Sequence, residues 1–398
     1  MTGRRRLDGA GQGAQAPVGP APERGVRAAV MRAPGEIGVE RFEVPDPGPG
    51  AVLLRVGLSG VCGTDKHTFR GETVQYAGTP HERRLSYPLI CGHENVGVIE
   101  AVGGEACAFD GTVLAPGDRI VPAANVPCGT CWYCVNDEPY YLCEHLEDYG
   151  NSLNVSRPPS LFGGWAELMY LLPGTPLFRV PDELEDELAV LTEPMAVTHG
   201  VETARRVLGV ESGESVVVLG VGPLGLCHVL KSRLVGCGEL IAIDRLPSRL
   251  ESAAECGATL TLDASELDQD ELVARVHEQT RRGADVVHDC SGVPETFGAA
   301  LRMARPGGVV VESGDFVDLG PVDINPNRDI CTRSVTVLGI GGERATSYAP
   351  SLDLLAANRA SLPVDRIVTH RFPLERAAEA LEISQRNGAM KVVLDPRA

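Results

Sequence analysis

Gly220-Val221-Gly222-Pro223-Leu224-Gly225 follows directly on the apolar run Ser215–Leu219 and opens a stretch with helical spacing. That order leaves little choice beyond a buried strand, a tight turn and a helix. The first glycine permits the turn, the second lets backbone approach a pyrophosphate, and the third lets the helix pack closely on the strand. An anion then rests where free N–H groups and the helix dipole converge. The competing reading is a βαβ unit whose glycines serve packing alone.

Asp244 ends the next apolar run, within the span expected of a carboxylate that accepts hydrogen bonds from ribose hydroxyls and repels a 2′-phosphate. This favours NAD over NADP. Arg245 beside it pulls the other way, because an arginine can pair with such a phosphate. Pro223 and Leu224 complete the expected cofactor turn.

The runs ELIAIDR, ADVVHDCSG, GGVVVESGD and SVTVLGI alternate with PLGLCHVLKSRLVGCG, SRLESAAECGA and DELVARVHEQTRR. Continuous apolar strands between helices predict a parallel sheet covered on both faces. Ahead of about residue 182 the chain is punctuated by glycine and proline between short strand-like runs, and reads as irregular and mostly β. The stretch DELEDELAVLTEPMAVTHGVETARRVLG has helical spacing with an acidic first turn, and Gly71–Leu89 reads as a surface loop. A chain of 398 residues exceeds one hydrophobic core and suits two domains.

Asp and Glu number 54 against 36 Lys and Arg, a formal charge of −18, which argues against a nucleic-acid partner. Any anionic cofactor must be held by local donors. No apolar run approaches the roughly 20 residues that span a bilayer, so no membrane partner is expected. Residues 1–25 lack an apolar signal core and read as a disordered tail, leaving the cytoplasm as the default compartment.

Of twelve cysteines, Cys128, Cys131, Cys134 and Cys143 cluster in the turn-rich PCGTCWYCVNDEPYYLC. Four thiolates at such separations can close a tetrahedral zinc site that serves folding; an iron–sulfur cluster or a redox pair are the alternatives. Zinc is favoured because nothing else in the segment calls for electron transfer. Cys227, Cys237, Cys256, Cys290 and Cys331 stand singly and read as small buried apolar residues. A second set, Cys62-Gly63-Thr64-Asp65-Lys66-His67 followed by Gly92-His93-Glu94, concentrates metal-competent and proton-carrying groups in two short blocks. It points to a catalytic metal.

With these blocks in order, the sequence from about residue 26 resembles the zinc-containing medium-chain dehydrogenases, in particular their sorbitol, threonine and glucose dehydrogenase branches. The resemblance implies an α/β protein: a GroES-like, mostly-β catalytic domain over 26–192 with the cysteine lobe at about 125–145, a Rossmann doubly wound parallel-sheet domain over 193–342, and a return to the catalytic domain over 343–398. It implies two zinc ions per chain and NAD, with Cys62 and His93 as catalytic zinc ligands and Glu94 and Glu193 as direct or water-bridged ones. Asp65 then orients a ligand, Thr64 accepts the substrate proton, and His67 ends the relay to solvent. The activity implied is hydride transfer between NAD(H) and a secondary alcohol or ketone on a small polyol, sugar, cyclitol or amino alcohol, in a homodimer or homotetramer. A zinc-independent reductase of the same fold and a non-catalytic NAD-binding protein are the rivals.

Three departures accompany the resemblance. The gap between Cys134 and Cys143 is one residue longer than is usual there, and the separation of Cys62 from His93 is also longer, the extra length falling in Gly71–Leu89. Gly63 stands where some relatives carry an arginine for the pyrophosphate, as it does in the polyol branch.

Overall fold

The computed structural model describes residues 25–75 and 82–398. The tail reading for 1–24 and the middle of the Gly71–Leu89 stretch (76–81) lie outside the described residues.

Two sheets organise the chain. The first is mainly antiparallel and runs Leu177–Arg179, Arg119–Pro122, Asn95–Val102, Val52–Gly60, Lys391–Leu394 and Val368–Phe372, with Leu168–Leu171 also paired to Val52–Gly60. Its last two strands come from the C-terminus, so the chain's end completes the sheet its first half begins. Val26–Ala33, Glu36–Phe42 and Leu89–Ile90 form a smaller sheet beside it. Trp165, Tyr149, Phe162, Met31 and Leu54 fill the core here.

The second sheet is parallel, in the order Leu260–Asp263, Leu240–Asp244, Val216–Leu219, Ala284–Asp289, Ala304–Glu312, Thr336–Gly339. The sequence-first strand is central and the chain winds outward both ways from it, the doubly wound arrangement whose ligands lie at the reversal point. Val216–Leu219 is buried throughout. Val216 and Val218 face one core with Tyr348 and Leu352, while Val217 and Leu219 face another with Leu272 and Val276. Helices on both faces explain the unbroken apolar run.

Three expectations are corrected. The stretch read as one helical unit from 182 to 209 breaks into Asp186–Ala189, Thr192–Val197 and Gly200–Leu208. Pro194 has no N–H and its ring clashes with the carbonyl four residues back, so a helix can begin just before it but not run through it. The Gly71–Leu89 stretch carries a small ladder, Val74–Gln75 against Arg83–Arg84. Cys227, Cys237 and Cys256 are buried as expected, but Cys331 is exposed and Cys290 is half-buried.

Candidate active site and cysteine lobe

Cys62 leaves the strand Val52–Gly60 and caps the helix Gly63–Arg70. His93 and Glu94 lie just ahead of the neighbouring strand Asn95–Val102. The two loops are tied together by Asp65, which is fully buried: one carboxylate oxygen accepts from the Cys62 N–H at 2.8 Å and the other from the Gly92 N–H at 3.4 Å. Gly92 adopts φ +91°, and a Cβ there would strike Ser59 and Trp165. The fold thus brings ligand atoms of Cys62, His93 and Glu94 within 4.8 Å of one another, at buried or half-buried positions.

Glu193, in the helix Thr192–Val197, is 6% exposed. It stands outside that 4.8 Å set but within charge reach of all three members. Burial, then the charge of Glu343, holds its carboxyl well above the usual range. Burial alone would raise the Cys62 thiol and lower the His93 imidazole, yet their mutual attraction wins in both, leaving the thiol low and the imidazole well above normal. His93 Nδ1 is buried without a partner among the described residues. Buried Asp65, Glu94, Glu193 and Glu343 surround this pair with Lys391 as the opposing cation. Such a donor set, a thiolate and an imidazole among carboxylates, fits a divalent zinc.

Thr64 Oγ1 is buried and has no partner among the described residues. One turn on, His67 Nδ1 lies 2.6 Å from Glu72 Oε2, and burial lowers this imidazole's pKa against the pull of Glu72. Thr64 and His67 thus lie on one helix, with Glu72 beside His67 as a partner that sequence reasoning did not find.

The four lobe sulfurs also lie within 4.8 Å of one another. A short helical turn at Tyr140–Leu142 delivers Cys143, absorbing the longer gap. Cys128 Sγ accepts the N–H of Cys131 at 3.3 Å, and Cys143 Sγ that of Cys128 at 3.3 Å and of His145 at 3.4 Å. Backbone donors aimed at sulfur favour the thiolate, yet burial still pushes Cys143 up to about 12, so holding all four as thiolates needs a cation. The lobe is linked to the site by Glu343, 3% exposed, which accepts from Asn125 Nδ2 at 2.7 Å, from Tyr140 within the lobe, and from Tyr348 at 3.3 Å.

In the parallel sheet, Gly220 sits at φ +82° with the position of a Cβ 2.5 Å from Ser291 Cα, and a Cβ on Gly225 would strike the Gly220 carbonyl. Gly222 caps the helix Pro223–Leu234, whose first turn includes Leu224. Asp244 is 8% exposed; its oxygens accept from Val221 N at 2.7 Å and Leu246 N at 2.9 Å, so its carboxylate is fixed beside the turn. Arg245 is exposed. The arginine that approaches the turn is Arg249, 3.6 Å from Asp244 Oδ2 and 3.7 Å from where a Gly222 Cβ would stand. It lies five residues beyond Asp244, one helical turn into Pro247–Glu255, and only an assumed helix start there could have flagged it.

Residues 48–182 match the alcohol dehydrogenase GroES-like domain, and 223–357 match the zinc-binding dehydrogenase domain. A sorbitol dehydrogenase of Gallus gallus is 30% identical over 373 residues, 92% of this chain and 95% of that protein. A 5-exo-hydroxycamphor dehydrogenase of Pseudomonas putida is 31% identical over 361 residues, covering 90% and 95%. Among solved structures, an alcohol dehydrogenase from Thermotoga maritima superposes with a TM-score of 0.83 at 29% identity, covering 93% of this chain and 99% of that one. The chain belongs to the zinc-containing medium-chain alcohol dehydrogenases. It is an oxidoreductase acting on alcohols, within a group of zinc-binding, NAD(P)-linked enzymes. Among the described residues no helix is long and apolar enough to cross a membrane.

Proposed function

We propose that this enzyme moves a hydride between NAD(H) and the secondary alcohol or ketone of a small polyol, sugar, cyclitol or amino alcohol. The observation that carries the reading is the pairing of half-buried Cys62 with buried His93, flanked by the carboxylates Glu94 and Glu193. Such an oxygen-rich site suits a substrate with several hydroxyls. Bound zinc supplies Lewis acidity toward the alcohol oxygen, and bound NAD supplies the hydride acceptor.

The chain's own residues do the rest. Cys62, His93 and one or both glutamates hold the metal, and Asp65 fixes the two loops that present them. Thr64 Oγ1, with no partner among the described residues, accepts the alcohol's proton. His67, steadied by Glu72, passes it toward solvent. Gly220, Gly222 and Gly225 shape the phosphate turn, and Asp244 takes the ribose hydroxyls and disfavours NADP. Cys128, Cys131, Cys134 and Cys143 hold a second zinc that stabilises the lobe.

Domain limits near 193 and 343 accompany this reading, as does assembly into a dimer or tetramer. The sheet edge Thr336–Gly339, with Val337 39% exposed, supports such a contact.

The test is a zinc count on purified protein beside NAD and NADP reduction over a panel of polyols, cyclitols and amino alcohols. Two zincs per chain with NAD-preferring turnover supports the reading. Turnover without zinc would favour a zinc-independent reductase, and one zinc without turnover a cofactor-binding protein.

A further inference from the structure

Glu343 lies where the chain leaves the last strand of the parallel sheet, Thr336–Gly339, and enters the helix Ala345–Asn358. It is buried, and three segments converge on its Oε1. Asn125 Nδ2 donates at 2.7 Å, the Tyr348 hydroxyl at 3.3 Å, and the Tyr140 hydroxyl from the turn that delivers Cys143 to the lobe. All three donors are neutral, so hydrogen-bond geometry sets where this oxygen sits. Glu343 stands outside the 4.8 Å set of Cys62, His93 and Glu94.

The residue after Tyr140 grips the same crossing. A Cβ on Gly342 would stand 3.2 Å from Tyr141 Cβ, and one on Gly341 3.6 Å from the Tyr141 ring. That ring also stacks on His199, with the two planes 16° apart, and His199 Nε2 donates to the Gly342 carbonyl at 3.1 Å. His199 lies just beyond the helix Thr192–Val197, which carries Glu193. Two consecutive tyrosines of the lobe thus hold Gly341–Glu343.

Packing carries that position to the catalytic centre. The Tyr348 hydroxyl accepts from the Ala124 N–H at 3.0 Å, and its ring stacks on Phe178 at 4.7 Å. Tyr348 shares a core with Leu191 and Met195 on either side of Glu193, and its helix packs along Thr192–Val197. A shift of Tyr140 therefore reaches Glu193 through Glu343 and Tyr348.

We propose that Glu343 is a positioning residue that ties the four-cysteine lobe to the catalytic metal centre, so that closure of the lobe fixes where Glu193 stands. The assignment rests on the metal-site reading above. It gives the lobe a part in shaping the site as well as in folding.

The test uses the full-length protein with zinc in the lobe and cobalt(II) at the catalytic site, where visible absorption reports ligand geometry without turnover. Tyr140→Phe removes one hydroxyl and leaves Glu343 and every metal ligand in place. It should shift that absorption and weaken cobalt binding at the site about tenfold, with the lobe zinc retained. Glu343→Leu should act in the same direction, while Glu343→Gln, which keeps an acceptor oxygen, should bind cobalt within about threefold of the unsubstituted protein. On a Glu193→Gln background, Tyr140→Phe should add nothing further. Unchanged absorption and affinity in Tyr140→Phe would overturn the proposal. So would a full further loss on the Glu193→Gln background, or a Glu343→Gln variant as impaired as Glu343→Leu, the mark of lost charge and not of lost position. Failure of the unsubstituted protein to bind cobalt at Cys62 and His93 would overturn the metal-site reading itself, and this assignment with it.

Discussion

Lys391 Nζ lies 2.7 Å from Glu94 Oε1, and each of the two side chains is 1% exposed. The pair joins the C-terminal strand to the loop that carries His93, and the desolvation of both charges is offset only while both are present. Removing one partner of such a pair costs roughly 3–5 kcal/mol, whereas replacing both by neutral groups of similar volume is close to neutral. Lys391→Met should therefore lower the urea midpoint by an amount equivalent to about 3–5 kcal/mol, and Lys391→Met with Glu94→Gln should recover most of it. Equal losses in the single and double variants would mean that packing of the lysine stem, not charge, sets the stability here.

The cysteine lobe should part from catalysis by metal content. Cys143→Ser opens the four-sulfur set without touching Cys62 or His93, so metal analysis should find a loss of about one zinc per chain. A closed site of this kind contributes folding energy. Limited proteolysis should then cut within 125–145 before the rest of the chain, and an unchanged zinc count would place the second metal elsewhere.

What could be read from the sequence was what is local in it. The glycine turn, the four cysteines and the blocks Cys62–His67 and Gly92–Glu94 are each local in the chain, so their spacing reported their geometry. Lys391 acts on Glu94 from 297 positions away, and Glu343 on Asn125 from 218; nothing in either segment announces its partner. Glu72 reaches His67 across the end of the helix Gly63–Arg70, a contact that depends on the left-handed Gly71 turning the chain back. The break before Pro194 was available to sequence reasoning but was outweighed by the apolar period around it.

Two buried histidines in the parallel-sheet domain set an acid limit on stability. His228 and His288 have ring centroids 4.7 Å apart, and the unpartnered His228 Nε2 and His288 Nδ1 are both buried. Burial lowers His228 to about 4, despite the Leu224 carbonyl it faces and with His199 and Lys231 adding to the fall. Burial and then His228 hold His288 well below its usual value. The unfolded chain binds these protons near pH 6.5 and the folded chain does not, so stability is complete above about 6.5 and falls as pH drops toward about 4. Each histidine contributes a slope of roughly 1.4 kcal/mol per pH unit in that window. Thermal melts between pH 7 and 5 should show the decline, and His288→Phe should reduce its slope by about half, leaving the His228 share.

Cofactor preference should turn on Asp244. Its oxygens already accept two backbone N–H groups, which fixes the carboxylate at the end of its strand. Asp244→Ser removes both the ribose acceptor and the repulsion of a 2′-phosphate, with Arg249 left 3.7 Å from the Gly222 Cβ position to attract one. We expect kcat/KM for NAD to fall about tenfold, a loss of about 1.4 kcal/mol, and that for NADP to rise. An unchanged ratio would reject the assignment.

Thr64 separates chemistry from folding most cleanly. Its Oγ1 is buried and makes no hydrogen bond among the described residues, so replacing the hydroxyl by a methyl removes an unsatisfied polar atom at nearly constant volume. Stability should hold or rise slightly, since a buried donor without a partner costs about 1–3 kcal/mol. Catalysis should respond in the opposite sense. With no acceptor for the alcohol's proton, Thr64→Val should lose about 10²–10⁴-fold in kcat, the range of general acid–base assistance, while cofactor affinity stays unchanged. Thr64→Ser keeps the oxygen and should retain most of the rate. A Thr64→Val enzyme that is both stable and fully active would show that the proton leaves by another path and that His67 is not the end of a relay.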